Sequence, residues 1–279
     1  MTGLIDVGGG MRGAYTAGIY DYLLENNIEI DCCIGISAGS ANMISYLSKQ
    51  KGRSLKFYSD YAMRREYMSA YNFLKSGSYI DLDYIYSYLS NENGENPVDY
   101  DAFEEAKSEL EVVATHAKTG KAWFFNRKDI SRDNFDVIKA SCAVPIACKP
   151  YEIGGEFFYD GGIADPIPYT RLVEKGCSKM ILLLTRPKQI RLSASGASAR
   201  AIRTLMRRYP MTAQAMLNRY EKYNSSIDEF AGLECEGRAL IVSPEDIYGM
   251  KMLKKDRDTI FKLYKEGYED AEKIADFLG

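Results

Sequence analysis

Ser37 sits at the centre of Gly35-Ile36-Ser37-Ala38-Gly39, a G-x-S-x-G pattern. The pattern suits a nucleophile elbow. A serine on a sharp strand-to-helix turn needs small neighbours so that the chain can fold back on itself. The flanks agree: IDCCIGI before it reads as a buried strand, and SAGSANMISYLSKQ after it as a helix. Such a helix directs its free N–H groups and the positive end of its dipole at the hydroxyl, which favours negative charge there. The competing reading is a tight turn with an ordinary N-cap serine.

A serine nucleophile usually works with a histidine. The chain has one histidine, His116, at the end of EVVATHA. The serine, acid, histidine order of an α/β-hydrolase needs a histidine further along, and none follows. A lone histidine is more often structural, so the base for Ser37 is expected to be another residue. The best replacement is Asp160, where the strand-like GGEFFYDGG runs into Gly161 and Gly162. Burial would raise an aspartate above its ordinary value of about 3.9 and make it a better base. Asp-Gly-Gly by itself is a turn sequence; it gains meaning only beside Ser37.

The third feature is the opening loop in GLIDVGGGMRGAYTAG, where Gly8, Gly10 and Gly13 spell G-x-G-x-x-G. One reading is a dinucleotide-binding oxidoreductase. That fold wants an acidic residue at the carboxyl end of the second strand, for the ribose hydroxyls. Here Gly35-Ile36-Ser37 occupies that end, and Asp31 falls at the other. The second reading is a glycine loop that offers N–H groups to an oxyanion. KTGKAW lacks the leading glycine and the Ser/Thr of a P-loop. One histidine and no ligand-spaced cysteines argue against metal catalysis. NENGEN is not an EF-hand loop. No cofactor or metal is expected.

The elements that must position these residues alternate between strand and helix. GLIDV, a helix through AYTAGIYDYLLENN, IDCCIGI and a second helix open a parallel α/β sheet. LEVVATHA and AWFFNR read as strands around the turn KTGK, and FDVIKASCAVP as a helix stopped by Pro145. KMILLLT suits the middle of a sheet. GRALIVSP reads as the last strand and DRDTIFKLYKEGYEDAEKIADFL as one closing amphipathic helix. At 279 residues the chain fits one α/β domain, 1–279, with an elaborated segment. Residues 55–100 are rich in tyrosine and read as helical; the rings either line an acyl pocket or, as the favoured reading, take part in core and rim packing.

The formal net charge of −3 argues against a nucleic-acid footprint. No apolar run reaches transmembrane length, the first residues lack signal-peptide features, and the six cysteines show no C-x-x-C pair. These point to a cytoplasmic protein with reduced thiols. No feature specifies an oligomeric state. From Arg186 to Tyr220 there are eight basic residues and no acidic one, within a basic helical segment at about 187–236. Arg200, Arg203, Arg207 and Arg208 either meet anionic lipid head groups at the inner membrane surface or form an ordinary solvated face.

Taken in order, GGGMRG (Gly8 to Gly13), GISAG (Gly35 to Gly39) and DGG (Asp160 to Gly162) resemble the patatin-like phospholipase family, bacterial type. ASCAVP (Ala140 to Pro145) is similar to the segment that precedes the family's acid. The resemblance spans roughly residues 4 to 186. It implies a three-layer α/β/α sandwich with a central, mostly parallel sheet. It further implies a lipid acyl-ester hydrolase working through a Ser-Asp dyad, Ser37 as nucleophile and Asp160 as its partner. Gly8, Gly9, Gly10, Met11 and Arg12, closed by Gly13, would form the oxyanion loop. Gly35 and Gly39 would shape the elbow, and Gly161 and Gly162 the acid turn. The substrate implied is a lipid or fatty-acyl ester. A lipid-binding protein of the same fold without turnover is the third reading.

Overall fold

Strand-forming apolar runs at both ends of the chain meet in one sheet. The structure, a computed structural model, describes residues 1–193 and 196–279. Its strands are β1 (Thr2–Asp6), β2 (Cys32–Ile36), β3 (Glu109–His116), β4 (Ala122–Asn126), β5 (Tyr151–Ile153), β6 (Glu156–Asp160), β7 (Lys179–Leu183) and β8 (Ala239–Val242). The sheet order is β5-β6-β3-β2-β1-β7-β8, with β4 also paired to β3. β1, β2, β3, β7 and β8 run parallel; β4, β5 and β6 are antiparallel additions. The sheet is mixed and mostly parallel at its centre. KMILLLT becomes β7, inside the sheet, as its apolarity requires.

The first helices are α1 (Ala14–Glu25), α2 (Ala38–Leu47), α3 (Arg53–Ser59), α4 (Ala70–Ser76), α5 (Tyr100–Glu105) and α6 (Asp136–Ser141). After them come α7 (Tyr169–Glu174), α8 (Gly196–Arg208), α9 (Pro210–Cys235), α10 (Arg257–Asp270) and α11 (Glu272–Leu278). The period-2 pleat decides which helices cover which face. Leu4, Cys33, Val112 and Ile181 pack with residues of α1, α2 and α10. Ile5, Ile34, Val113 and Leu182 point the other way, against Leu172 of α7 and Tyr223, Ile227 and Phe230 of α9. Helices on both faces of the sheet make three layers.

Two sequence expectations are corrected. The closing helix is two, α10 and α11, meeting at Ala271. The basic segment holds two helices: α8 ends at Arg208, and Pro210 opens α9, since proline is tolerated in a first turn and not in a helix interior. Of that segment, residues 194 and 195 lie outside the described residues. The tyrosine-rich stretch is not continuous helix but short pieces, with a left-handed Gly77 ending α4. β5 carries no strong pattern of its own and is held by pairing to β6.

Candidate active site

β3 carries two strands end to end along one of its edges. β2 pairs with it up to Ile36↔Val113, and β6, running the opposite way, begins its pairing at Asp160↔Ala114. β4 covers Glu111 to Thr115 on the opposite edge. The carboxyl ends of β2 and β6 therefore face each other, and the residue after Ile36 meets Asp160. That residue is Ser37.

Ser37 has φ 55° and ψ −132°, an uncommon conformation for a residue with a Cβ. Such a conformation costs about 1–3 kcal/mol and persists only where neighbours hold it. The holding contacts are explicit. The Ser37 amide donates to Ser141 Oγ at 2.8 Å, and Ser141 Oγ donates onward to the Val113 carbonyl at 2.7 Å. The Ser37 carbonyl accepts from the amide and hydroxyl of Ser40, at 3.0 and 2.6 Å. Gly35 is needed because a Cβ there would lie 2.5 Å from Ser40 Cα.

Asp160 is buried beside this turn. Its Oδ1 accepts from the Gly162 amide at 2.9 Å. Its own amide donates to the Ala143 carbonyl at 2.9 Å, and its carbonyl accepts from Thr115 Oγ1 at 2.8 Å. The ASCAVP segment thus fixes both partners, Ser37 through Ser141 and Asp160 through Ala143. Burial pushes the Asp160 carboxyl above its ordinary value. The Ser37 hydroxyl pulls it back most, then the Gly162 amide, then the charge of Arg219.

The glycine loop leaves β1 at the same end of the sheet. It lies directly on the elbow. A Cβ on Gly8, where φ is +62°, would fall 2.3 Å from the Ile36 carbonyl oxygen, and a Cβ on Gly39 2.5 Å from that of Asp6. Only glycines allow this backbone-on-backbone approach. The six residues of the loop do different things. The Gly8 amide donates to Asp6 Oδ1 at 2.9 Å, and the Met11 amide to the Met252 carbonyl at 2.8 Å. Those two N–H groups are spent inside the protein. Among the described residues, the amides of Gly9 and Gly10 have no acceptor. Thr185 Oγ1 holds the loop by donating to the Gly8 carbonyl at 2.5 Å. Gly13 packs against Tyr58 and accepts from Asn42 Nδ2 at 2.9 Å. Arg12 lines a cavity.

Ser37 lies between two cavities. One, of about 80 Å³, is apolar and includes Met11, Phe57, Tyr58, Tyr67, Ile80 and Tyr86. The other, of about 940 Å³, reaches Gly8, Gly9, Arg12 and Asp160 and opens between α8, α9 and the loop around Ile146. Tyr58, Tyr67 and Tyr86, expected as packing, line the smaller cavity, and Tyr79 lines the larger.

His116 is elsewhere. Its Nε2 lies 2.9 Å from Glu156 Oε2 and its Nδ1 2.8 Å from Thr119 Oγ1. Asp31 is at the amino end of β2, where it accepts from the Thr2 amide at 2.7 Å, far from the glycine loop's phosphate position in a dinucleotide site. Sequence reasoning assigned no role to Ser141, Thr185 or Asp6, and counted Arg186 and Arg219 only as members of a basic run. Arg219 Nε donates to the Gly162 carbonyl at 2.5 Å, beside Asp160. Nothing local marks these residues; they come together from four separate segments.

A mostly parallel sheet with helices on both faces, a serine elbow, a glycine loop and a buried aspartate at one sheet end define a class. The model of the patatin-like phospholipase family matches residues 7–173, and the chain belongs to that family. A second family model, described as a domain of unknown function (DUF6363), matches residues 209–278. Among curated proteins, the chain is 28% identical over 193 residues to the uncharacterized protein YjjU of Escherichia coli strain K12. That match covers 67% of this chain and 52% of YjjU, so the chain spans about half the length of that relative. Among solved structures it is similar in fold to VipD from Legionella pneumophila. The TM-score is 0.50 at 13% identity, over 99% of this chain and 66% of that one.

Proposed function

We propose that this protein is a serine acyl hydrolase acting on lipid esters, with Ser37 as nucleophile and Asp160 as its base. The observation that carries the reading is the end-to-end meeting of β2 and β6 on β3, with a strained serine at one tip and a buried aspartate at the other. Membership of the patatin-like phospholipase family supports it.

In this mechanism the ionised Asp160 takes the proton of Ser37 Oγ as Oγ attacks the ester carbonyl carbon. The carbonyl oxygen becomes an oxyanion, and the open amides of Gly9 and Gly10 donate to it. Collapse breaks the ester bond, and Asp160 returns its proton to the departing alcohol. A water deprotonated by Asp160 then attacks the acyl-serine, releasing the fatty acid and restoring Ser37. The small apolar cavity fits the acyl side of the bond. The raised pKa of Asp160 brings its basicity closer to what the proton transfer needs.

The chain is read as one working unit, 1–279, because β8 completes the sheet that carries the site and α10 packs on α1. We further read α8 as a surface for anionic lipid. Arg200, Arg203, Arg207 and Arg208 are exposed and, among the described residues, form no ion pair. Nearby Lys188, Arg191 and Lys222 are paired, with Glu234, Asp228 and Asp165.

A fluorophosphonate probe tests the central claim. The wild type should label covalently, while Ser37→Ala should not label and Asp160→Asn should label far more slowly. Equal labelling of the wild type and Ser37→Ala would overturn it.

A further inference from the structure

The larger cavity has a charged wall that ester cleavage does not require. Arg12, Arg186 and Arg219 reach it from three places: the loop after β1, the segment after β7, and the middle of α9. Arg200 also lines it, and Asp160 is the one carboxylate among the described lining residues. Arg12 is only 7% exposed, yet among the described residues its Nε has no hydrogen-bond partner. The Tyr223 hydroxyl, in a side chain only 4% exposed, is likewise unpartnered. The Arg186 guanidinium stands 6.0 Å from the centre of the Tyr223 ring. Among the described residues none of Arg12, Arg186 and Arg219 forms an ion pair, although three neighbouring cations do.

Arg12 is buried and Arg186 and Arg219 are half-buried, and cations withdrawn from water without an ion pair are costly. Burial pushes the Arg12 pKa down to about 10, and the charge of Arg186 depresses it further. Burial also lowers Arg219, where Asp160 opposes the shift and Arg186 adds to it. Such a cluster is stabilised by an anion that enters and hydrogen-bonds to it. Guanidinium forks match the oxygens of a phosphate, and several on one wall suit a group with several terminal oxygens.

We propose that Arg12, Arg186 and Arg219, with the Tyr223 hydroxyl, form a subsite for a phosphate monoester beside Ser37. The three cations of the subsite offset by the Asp160 carboxylate leave about +2, and Arg200 on the same wall adds to it, so the site favours a phosphate monoester dianion. A zwitterionic choline or ethanolamine head group would carry its cation into a wall of arginines and be disfavoured. For a lipid, the proposal rests on the reading of Ser37 and Asp160 as the ester-cleaving pair, with the phosphate on the alcohol side of the bond. The anion site itself does not rest on that reading.

Binding to the Ser37→Ala protein separates the two questions, because no turnover is read. Calorimetric titration with inorganic phosphate, a monoacylglycerol 3-phosphate and the phosphocholine lipid of the same chain should rank the phosphate monoester lipid at least about tenfold above the phosphocholine lipid. Adding Arg186→Gln should weaken the phosphate monoester lipid by about ten- to a hundredfold, the range for losing a charge-assisted contact. Arg186→Lys, which keeps the charge and loses the fork, should fall between, and it serves if Arg186→Gln does not fold. Phosphate binding that is lost in Arg186→Gln, without lipid selectivity, would support the anion site with free phosphate groups as its source. Equal affinity for both lipids together with no binding of inorganic phosphate would overturn the proposal.

Discussion

Ser141 Oγ accepts a hydrogen bond from the backbone amide of Ser37 at 2.8 Å and donates its own to the Val113 carbonyl at 2.7 Å. One hydroxyl therefore ties the elbow to the neighbouring strand and satisfies two buried backbone groups. Ser141→Ala leaves both unpaired, at a cost of about 1–3 kcal/mol. It also releases the turn that holds Ser37 at positive φ. The expected outcome is a folded, less stable protein labelled at least about tenfold more slowly by a fluorophosphonate. Denaturant unfolding and labelling rates measure the two effects separately.

Asp160 must be ionised to accept the Ser37 proton. Burial raises its pKa above the ordinary 3.8, so the acid limb of kcat/KM should lie above that value, with activity lost as pH falls. The charge of Arg219 lowers this pKa. Arg219→Gln removes that help and should move the limb to higher pH, so activity falls more on the acid side of the profile than on its plateau. A pH–rate profile in which the limb stays put or moves to lower pH contradicts the assignment.

Asp6 lies under the glycine loop, fully buried, with its carboxyl pushed up to about 6 by desolvation and pulled back by the Gly8 amide. Between 3.8 and about 6 the folded protein holds a proton that the unfolded chain has lost. Its contribution is therefore full at low pH and is lost as pH rises through 6. Asp6→Asn should gain stability relative to the wild type as pH goes from 4 to 7, by up to about 3 kcal/mol. Chemical denaturation at a series of pH values gives this difference directly; a parallel pair of curves would rule it out.

His116 bonds to Glu156 and Thr119 and does not line either cavity. His116→Ala should keep most esterase activity and lose about 1 kcal/mol of stability. A folded but inactive His116→Ala protein would sink the Ser-Asp pair.

The α8 arginines can be tested on vesicles. Changing Arg203, Arg207 and Arg208 to glutamine should weaken sedimentation with anionic phosphatidylglycerol vesicles, roughly by the 1 kcal/mol per surface cation expected near such a membrane. The effect should shrink at high salt. Unchanged binding at low salt would leave α8 as a solvated face.

Much of the site was legible in local spacing. Ser37 follows from a glycine pattern between a buried strand and a helix, because a tight turn constrains its immediate neighbours. Asp160 followed from the shortage of histidine and from a strand entering a glycine turn. The split of the glycine loop into spent and open amides was not legible. Whether Met11 donates to Met252 depends on a contact between residues 241 positions apart in the chain. The closing helix reads as one because its apolar period runs through Ala271, where α10 passes into α11 at a residue of helical dihedrals with no Pro or Gly to mark the junction.

The sequence by itself determined the strand and helix alternation, the elbow serine, the candidate aspartate and the exclusion of a histidine base in hydrolase order. These are matters of period, turn chemistry and count, which act over a few residues. Tertiary structure alone decided that β6 docks antiparallel beyond the tip of β2, so that Asp160 meets Ser37. It alone decided that Ser141 and Ala143 clamp both, and that Arg12, Arg186 and Arg219 share one cavity. Register and packing fix those meetings, and they join residues whose separation along the chain leaves no local trace.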